Sequence, residues 1–287
     1  MTETLEFDDT GLNRWTDDER FEVTRERLAE YAAATNDPIE AHRDGSIAPP
    51  VFAIVPVFEA LLTPAVDVMP VEAIPRIVHG EQDFHFRRPI YPGDKLVSRA
   101  KMIGYQGLEK GTRAAILLEC RTEDGELVNE QYVTAFVRGL NVGKTVGELS
   151  PDHKFDERLH DKALAAKVVQ HIDTDQTFRY APAAGDPMPI HLDEDVAKDA
   201  GLPGIIAHGL CTMAFTSWAV LTELADSDVN RLKRFAVRFS KPVLPGDDLE
   251  TRVWEKDGRN GITSYAFETI RGDDFVITDG LAEIADE

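Results

Sequence analysis

Apolar residues recur at helical spacing over two stretches of the chain, Val51 to Ala65 (VFAIVPVFEALLTPA) and Gly209 to Leu224 (GLCTMAFTSWAVLTEL). Each follows a polar loop and precedes runs in which apolar and polar positions alternate and β-branched or aromatic residues are common. The first set of runs is Lys95–Tyr105, Arg113–Arg121 and Glu126–Arg138; the second is Glu250–Glu255, Thr263–Thr269 and Phe275–Ile284. PGD, DG and GDD turns separate them. The pattern predicts, twice over, one apolar helix buried by an antiparallel sheet that wraps it, an α+β architecture.

The two halves also match residue by residue. FHFRRPIYPGDKL beginning at Phe84 and VRFSKPVLPGDDL beginning at Val237 share Phe86/Phe239, Pro89/Pro242, Pro92/Pro245, Gly93/Gly246, Asp94/Asp247 and Leu96/Leu249, all at an offset of 153. Upstream, YAAATNDPIEAHRD matches YAPAAGDPMPIHLD at an offset of 149, pairing Tyr31/Tyr180, Asp37/Asp186, Pro38/Pro187, His42/His191 and Asp44/Asp193. Two matched blocks in the same order indicate a duplicated domain. The expected division is an N-terminal repeat over 1–147, a polar, exposed linker over 148–165 and a C-terminal repeat over 166–287.

Composition narrows the functions. With 287 residues, 43% hydrophobic and 29% charged, the chain is globular in character. No run approaches the roughly 18 apolar residues of a membrane helix, and the acidic start MTETLEFDDTGLNRW lacks the pattern of a signal peptide. Cys120 and Cys211 are the only cysteines, too few for a disulfide framework and suited to free thiols in a reducing cytoplasm. Against 52 Asp and Glu stand 31 Lys and Arg, a net charge of −21. Nucleic acid and anionic membranes are poor partners for such a surface, and an anionic ligand needs a local basic patch.

The segment richest in chemistry runs from Tyr180 through Asp186 and His191 to Gly204-Ile-Ile-Ala-His208-Gly209. Pro187 and Pro189 oppose helix and stiffen the loop that carries Asp186 and His191. If the two side chains converge they make a proton-transfer pair; on spacing alone, an Asx-turn aspartate and an unrelated packed histidine fit equally well. Gly209, where the apolar helix begins, exposes a backbone N–H at the positive end of the helix dipole, suited to a carbonyl oxygen gaining charge. A metal site needs three or four ligands; with only His191, Asp193 and His208 nearby, no metal or other cofactor is expected.

These residues resemble the signature of the type 2, R-specific, MaoC-like enoyl-CoA hydratases. Gly185, Asp186, Pro189, Ile190, His191 and Ala197 occupy its positions, Ala207-His208-Gly209-Leu210-Cys211-Thr212 is similar to its helix start, and Arg238 to Asp247 to its strand entry. Val78-His79-Gly80-Glu81-Gln82 resembles a segment of the two-repeat forms. The resemblance spans both repeats and implies a double hot dog fold. It implies that Asp186 and His191 activate water for addition to a trans-2-enoyl thioester, giving an R-3-hydroxyacyl-CoA, and that the Gly209 amide polarises the thioester oxygen. It further implies a substrate site lined by His79, Gly80, Lys110, Pro187, Met188, Pro189, Ile190, His208 and Phe239, with acyl-CoA as the partner. Arg87, Arg88, Arg234, Arg238 and Lys241 are other cations near these motifs; each alone reads as a solvated surface cation, whereas Lys110 matches a family position.

Met188 departs from the signature, which has Asn there, exchanging an amide for an apolar thioether. The first repeat keeps Asp37 and His42 but has Asn36 before the aspartate and Pro49-Pro50 at the helix entry, which offer no N–H. It is therefore expected to serve structure or the acyl pocket rather than chemistry. Two alternatives to the hydratase stand: a dehydratase working on acyl-carrier protein, which predicts a basic docking patch, and a thioester-binding protein without catalysis, suggested by Met188. Thioesterase action needs a carboxylate along the central helix, and Leu210 to Leu221 has none. A cytoplasmic protein, pairing as a homodimer of two-repeat chains, completes the expectation.

Overall fold

The computed structural model describes residues 5–286; the first four residues of the acidic start and the last residue lie outside the described residues. The α-helices are α1 (Arg25–Ala34), α2 (Glu40–Arg43), α3 (Thr63–Val68), α4 (Gln176–Ala184), α5 (Glu194–Asp199) and α6 (Gly209–Leu224). The chain packs as two compact units. The first holds the described residues up to Phe21 with Pro56–His85 and Lys95–Asp152; the second holds Glu22–Val55, Phe86–Asp94 and the chain from His153 on. Descent and packing thus divide the molecule differently, because the Asp37/His42 segment of the first repeat packs in the second unit.

The sheet of the first unit is built from β1 (Glu19–Glu22), β2 (Ile77–Phe86), β3 (Lys95–Leu108), β4 (Gly111–Thr122) and β5 (Leu127–Arg138), in the order β1-β3-β4-β5-β2, with β6 (Thr145–Gly147) also on β3. The second unit's sheet has the order β8-β11-β10-β9-β7, from β7 (Ala166–His171), β8 (Leu232–Phe239), β9 (Asp248–Arg259), β10 (Ile262–Arg271) and β11 (Asp274–Ala285). All six strands predicted from alternation are present, five of them extended by one to four residues at one or both ends and β5 starting one residue later than expected, and the register is antiparallel, with Ala266 opposite both Trp254 and Leu281. The shorter or less regularly alternating β1, β2, β6, β7 and β8 were not predicted.

Helix α6 covers the whole of its predicted range. It is apolar on nearly every side because the sheet covers it: Leu210, Met213, Phe215, Val220 and Leu221 are all buried, each side chain worth roughly 1.5–3 kcal/mol on burial. A polar line holds it at a fixed height. Gln170 on β7 donates to the Phe215 carbonyl, Thr251 donates to Gln170, and Thr269 joins Thr251 and Thr216 at 3.0 and 3.3 Å.

Two expectations are corrected. The helix expected over Val51 to Ala65 is broken into 3-10 turns at Pro50–Val57 and Glu59–Leu61 followed by α3. Pro56 and Pro64 fall inside the expected helix, where they have no N–H for the i to i−4 ladder and their rings clash with the preceding turn. The polar stretch expected as an exposed linker is partly buried, with Phe155 and Leu159 packed on Trp254 and Ala266 and His153 bonded to the Asp279 carbonyl. The shared PGD motif proves to be a turn with glycine at positive φ (+92° at Gly93, +93° at Gly246), whose aspartate accepts the backbone N–H three residues earlier: Asp94 from Tyr91, Asp247 from Leu244.

Candidate active site

Local rules of the chain explain why Asp186 and His191 meet. Helix α4 ends on Gly185 at φ +74°, a left-handed cap, and the Asp186 N–H returns to the Ala181 carbonyl at 3.0 Å. Pro187 and Pro189 prevent the helix from resuming, and Pro189–His191 closes a 3-10 turn, with the His191 N–H on the Met188 carbonyl at 3.1 Å. The six residues from Asp186 to His191 thus wrap one tight turn.

His191 is 8% exposed. Its Nδ1–H donates to the Ile206 carbonyl at 2.9 Å; a carbonyl only accepts, so the neutral ring carries its proton on Nδ1 and a lone pair on Nε2. Burial pushes the His191 pKa below the usual histidine value, against the Ile206 bond and the Asp186 charge. Burial likewise pushes the Asp186 pKa up, against His191 and the Met188 N–H that its Oδ1 accepts at 3.2 Å. One donor atom from each of Asp186, His191 and His208 lies within 4.8 Å of the others. Among the described residues no hydrogen bond joins Asp186 to His191 directly. Two hydrogen bonds from one water span about 4.5 Å between acceptors, a span that the 4.8 Å bound on this cluster admits.

His208 is 1% exposed. Its Nε2–H donates to the Asp186 carbonyl at 3.1 Å, and its ring stacks on His191 at 3.8 Å between centroids with 26° between planes. It is also the residue before α6, with no side-chain cap bond, so the Gly209 N–H that follows it has no partner within the helix. A Cβ on Gly209 would stand 3.2 Å from the Phe239 ring, which would have to give by a few tenths of an ångström to admit it.

The first repeat's counterpart is closed. The His42 Nδ1–H meets Asp37 Oδ2 at 2.7 Å, with side chains 0% and 1% exposed, and Asp37 Oδ1 accepts the Ile39 N–H at 2.9 Å. No room is left for water between them. The repeated tyrosines meet across the duplication, Tyr31 and Tyr180 hydroxyls lying 3.2 Å apart and fully buried.

Of the remaining expected residues, Pro187 and Pro189 are exposed, Ile190 is half-buried and Met188 is 51% exposed. Backbone bonds hold the loop, so the thioether at 188 leaves Asp186 and His191 in place. His79, Gly80 and Lys110 belong to the first unit: His79 is half-buried, with desolvation pushing its pKa down to about 4, Gly80 sits against the Thr134 carbonyl, and Lys110 is exposed in the β3–β4 turn. Most of the other cations pair with the chain's own carboxylates: Arg88 with Asp94 at 2.7 Å, Lys241 with Asp274, Arg234 with Glu283 at 3.7 Å and Arg238 with Asp279 at 3.9 Å. Sequence reasoning missed the Ile206 carbonyl, a backbone group with no sequence signal. It also missed Glu194, whose carboxylate accepts the Ile205 N–H at 3.1 Å and steadies that loop. Asp186, His191 and His208 also form a three-ligand cluster by distance, but near-parallel stacked rings aim their in-plane lone pairs side by side rather than at one point.

Buried neutral histidines predict acid sensitivity. Burial and the neighbouring His191 hold His208 down to about 3. The unfolded chain therefore takes up protons below about pH 6.5 that the folded chain refuses. Stability is full above that pH and drains as pH falls toward 3, and His79 acts in the same sense down to about 4. The melting temperature followed by calorimetry should fall over this window, less steeply in His208→Gln.

A MaoC like domain model matches residues 156–271, and a FAS1-like, dehydratase domain region model matches residues 11–131. A probable enoyl-CoA hydratase 2 of Dictyostelium discoideum is 31% identical over 211 residues, spanning 72% of this chain and 70% of that protein. A MaoC-like dehydratase of Phytophthora capsici superposes with a TM-score of 0.84 at 24% identity, covering 97% of this chain and 99% of that one. A Mycobacterium tuberculosis protein described as a double hot dog fold superposes at 0.61 with 12% identity and 96% coverage of both chains. With a motif-bearing Asp/His turn beside a helix start, on a fold shared over its whole length, the chain belongs to the MaoC-like, enoyl-CoA hydratase 2 family.

Proposed function

We propose that this protein reversibly hydrates trans-2-enoyl-CoA to R-3-hydroxyacyl-CoA. The observation that carries the reading is that Asp186 and His191 bring side-chain ligand atoms within 4.8 Å of each other with no direct hydrogen bond between them, and that the neutral histidine keeps its proton on Nδ1. His191 Nε2 and the Asp186 carboxylate hold one water. His191 takes its proton as the oxygen adds to the β carbon, and the pair returns a proton to the α carbon. Negative charge gathers on the thioester oxygen, where the Gly209 N–H, at the positive end of the 16-residue α6, receives it. Phe239, Ile190 and the exposed Pro187–Pro189 edge border this place and are assigned to the substrate; His79, Gly80 and Lys110 are assigned to CoA by family likeness alone. The closed Asp37–His42 pair supports a non-catalytic first repeat. The same reading includes a cytoplasmic location, in keeping with two buried free thiols, and a homodimer, to be weighed by light scattering.

The test is loss of conjugated-thioester absorbance on incubation with crotonyl-CoA and longer enoyl-CoAs, followed by chiral analysis of the alcohol. An S product, or no turnover with any chain length, refutes the assignment. The pH profile is a sharper check. His191 must be neutral to act, and its pKa lies below the usual 6.5. The acid limb of kcat/KM, which reports the free enzyme, should therefore fall below pH 6.5, with a plateau through neutrality.

A further inference from the structure

We propose that His208 is a positioning residue that sets the geometry of Asp186, His191 and the Gly209 amide together, and is not itself a contact for substrate. The proposal rests on the hydratase reading of the site and goes beyond it by giving one residue a hold on all three reacting groups, two through its side chain and the third through its backbone. Three separate contacts converge on this residue. Its Nε2–H holds the carbonyl of Asp186 at 3.1 Å, which pins the backbone from which that carboxylate projects. Its ring covers one face of His191 at 3.8 Å, so the base cannot rotate away from the Ile206 carbonyl that fixes its tautomer. Its own peptide carbonyl carbon is bonded to the Gly209 nitrogen, so a displacement of His208 displaces the amide donor as well.

The ring is braced from outside. Tyr180 lies 4.9 Å away at 50° and is held in turn by the Tyr31 hydroxyl. With its proton on Nε2 and spent on Asp186, the neutral ring has no N–H left to offer a thioester oxygen. Its Nδ1 is buried without a hydrogen-bond partner among the described residues. Burial and the adjacent His191 keep the ring uncharged, with a pKa of about 3, so it neither donates nor relays a proton near neutrality. What remains is orientation, and a misplacement of about 1 Å in such a constellation costs on the order of 100-fold in rate.

Three variants separate the contacts: His208→Ala removes both, His208→Phe keeps the stack alone, and His208→Gln keeps an N–H able to reach the Asp186 carbonyl. Steady-state kinetics with crotonyl-CoA should show kcat in the alanine variant reduced on the order of 100-fold with KM little changed, and a substantial recovery of kcat in the glutamine variant. In parallel, nitrogen-15 NMR of the ligand-free protein reads the His191 tautomer. The Nδ1–H form should dominate in wild type and give way to a mixture in His208→Ala. A raised KM at unchanged kcat, or an unaltered kcat in the alanine variant, overturns the proposal. So does a His191 tautomer that ignores the substitution. If wild type hydrates no enoyl thioester, the hydratase reading fails, and the NMR arm still decides whether His208 positions its neighbours. If the alanine variant does not fold, the glutamine and phenylalanine variants carry the same comparison.

Discussion

Asp186→Asn and His191→Gln should each lower kcat/KM for crotonyl-CoA by roughly 1,000-fold, within the usual contribution of a general acid–base group, while Asp37→Asn leaves turnover close to wild type. The two pairs share their residue types and spacing but differ in geometry. In the second repeat, Nδ1 of the histidine is committed to the Ile206 carbonyl, so Nε2 is left as the basic nitrogen, and a ligand atom of His191 lies within 4.8 Å of one on Asp186. In the first repeat, the histidine's Nδ1–H is committed to the carboxylate at 2.7 Å, and both groups are sealed from solvent. Stability should show the opposite ranking. Asp37 accepts two buried hydrogen bonds, and asparagine at 37 faces the His42 N–H with an amide of wrong polarity on one side, costing about 1–3 kcal/mol. Asp186 is a carboxylate whose charged form burial disfavours, so its replacement by asparagine should leave the melting temperature unchanged or raise it. Loss of hydration in Asp37→Asn with retention in Asp186→Asn would transfer the chemistry to the first repeat.

Replacing Gly209 by proline should reduce kcat by about 100- to 1,000-fold, the usual cost of losing one oxyanion donor, while the fold survives. Proline is favoured at the first helical position, where the N–H has no helical acceptor. The preceding His208 already has φ −60° and ψ 134°, the extended conformation that a following proline demands. The steric part is separable, because an added Cβ stands 3.2 Å from the Phe239 ring. Gly209→Ala carries that crowding but keeps the amide, so the ratio of kcat between the alanine and proline variants isolates the N–H. Similar kcat values for the two would remove the amide from the mechanism. The first repeat is a natural precedent for the structural half of this argument: Pro49 and Pro50 stand at its helix entry, and the chain there forms 3-10 turns with Val51, Phe52 and Ile54 still buried.

The sequence by itself determined the duplication, the α+β architecture, helix α6 and the strands whose alternation is regular, because a half-buried strand and an enclosed helix each leave a period in the hydrophobic pattern. It also singled out the loop to which we assign the chemistry, since Gly185, Pro187 and Pro189 dictate a capped helix end and a stiff turn whatever surrounds them. The tertiary structure alone decided which of two Asp/His pairs is open. That difference lies in where each imidazole nitrogen finds its acceptor, the Ile206 carbonyl for His191 and the Asp37 carboxylate for His42, and a backbone carbonyl leaves no mark on residue identity. The grouping of Glu22–Val55 with the second unit, the burial of Phe155 and Leu159, and the stacking of His208 on His191 are long-range packing outcomes of the same kind. They depend on which surfaces meet after the chain has folded, and nothing in the local period of hydrophobic and polar residues encodes them.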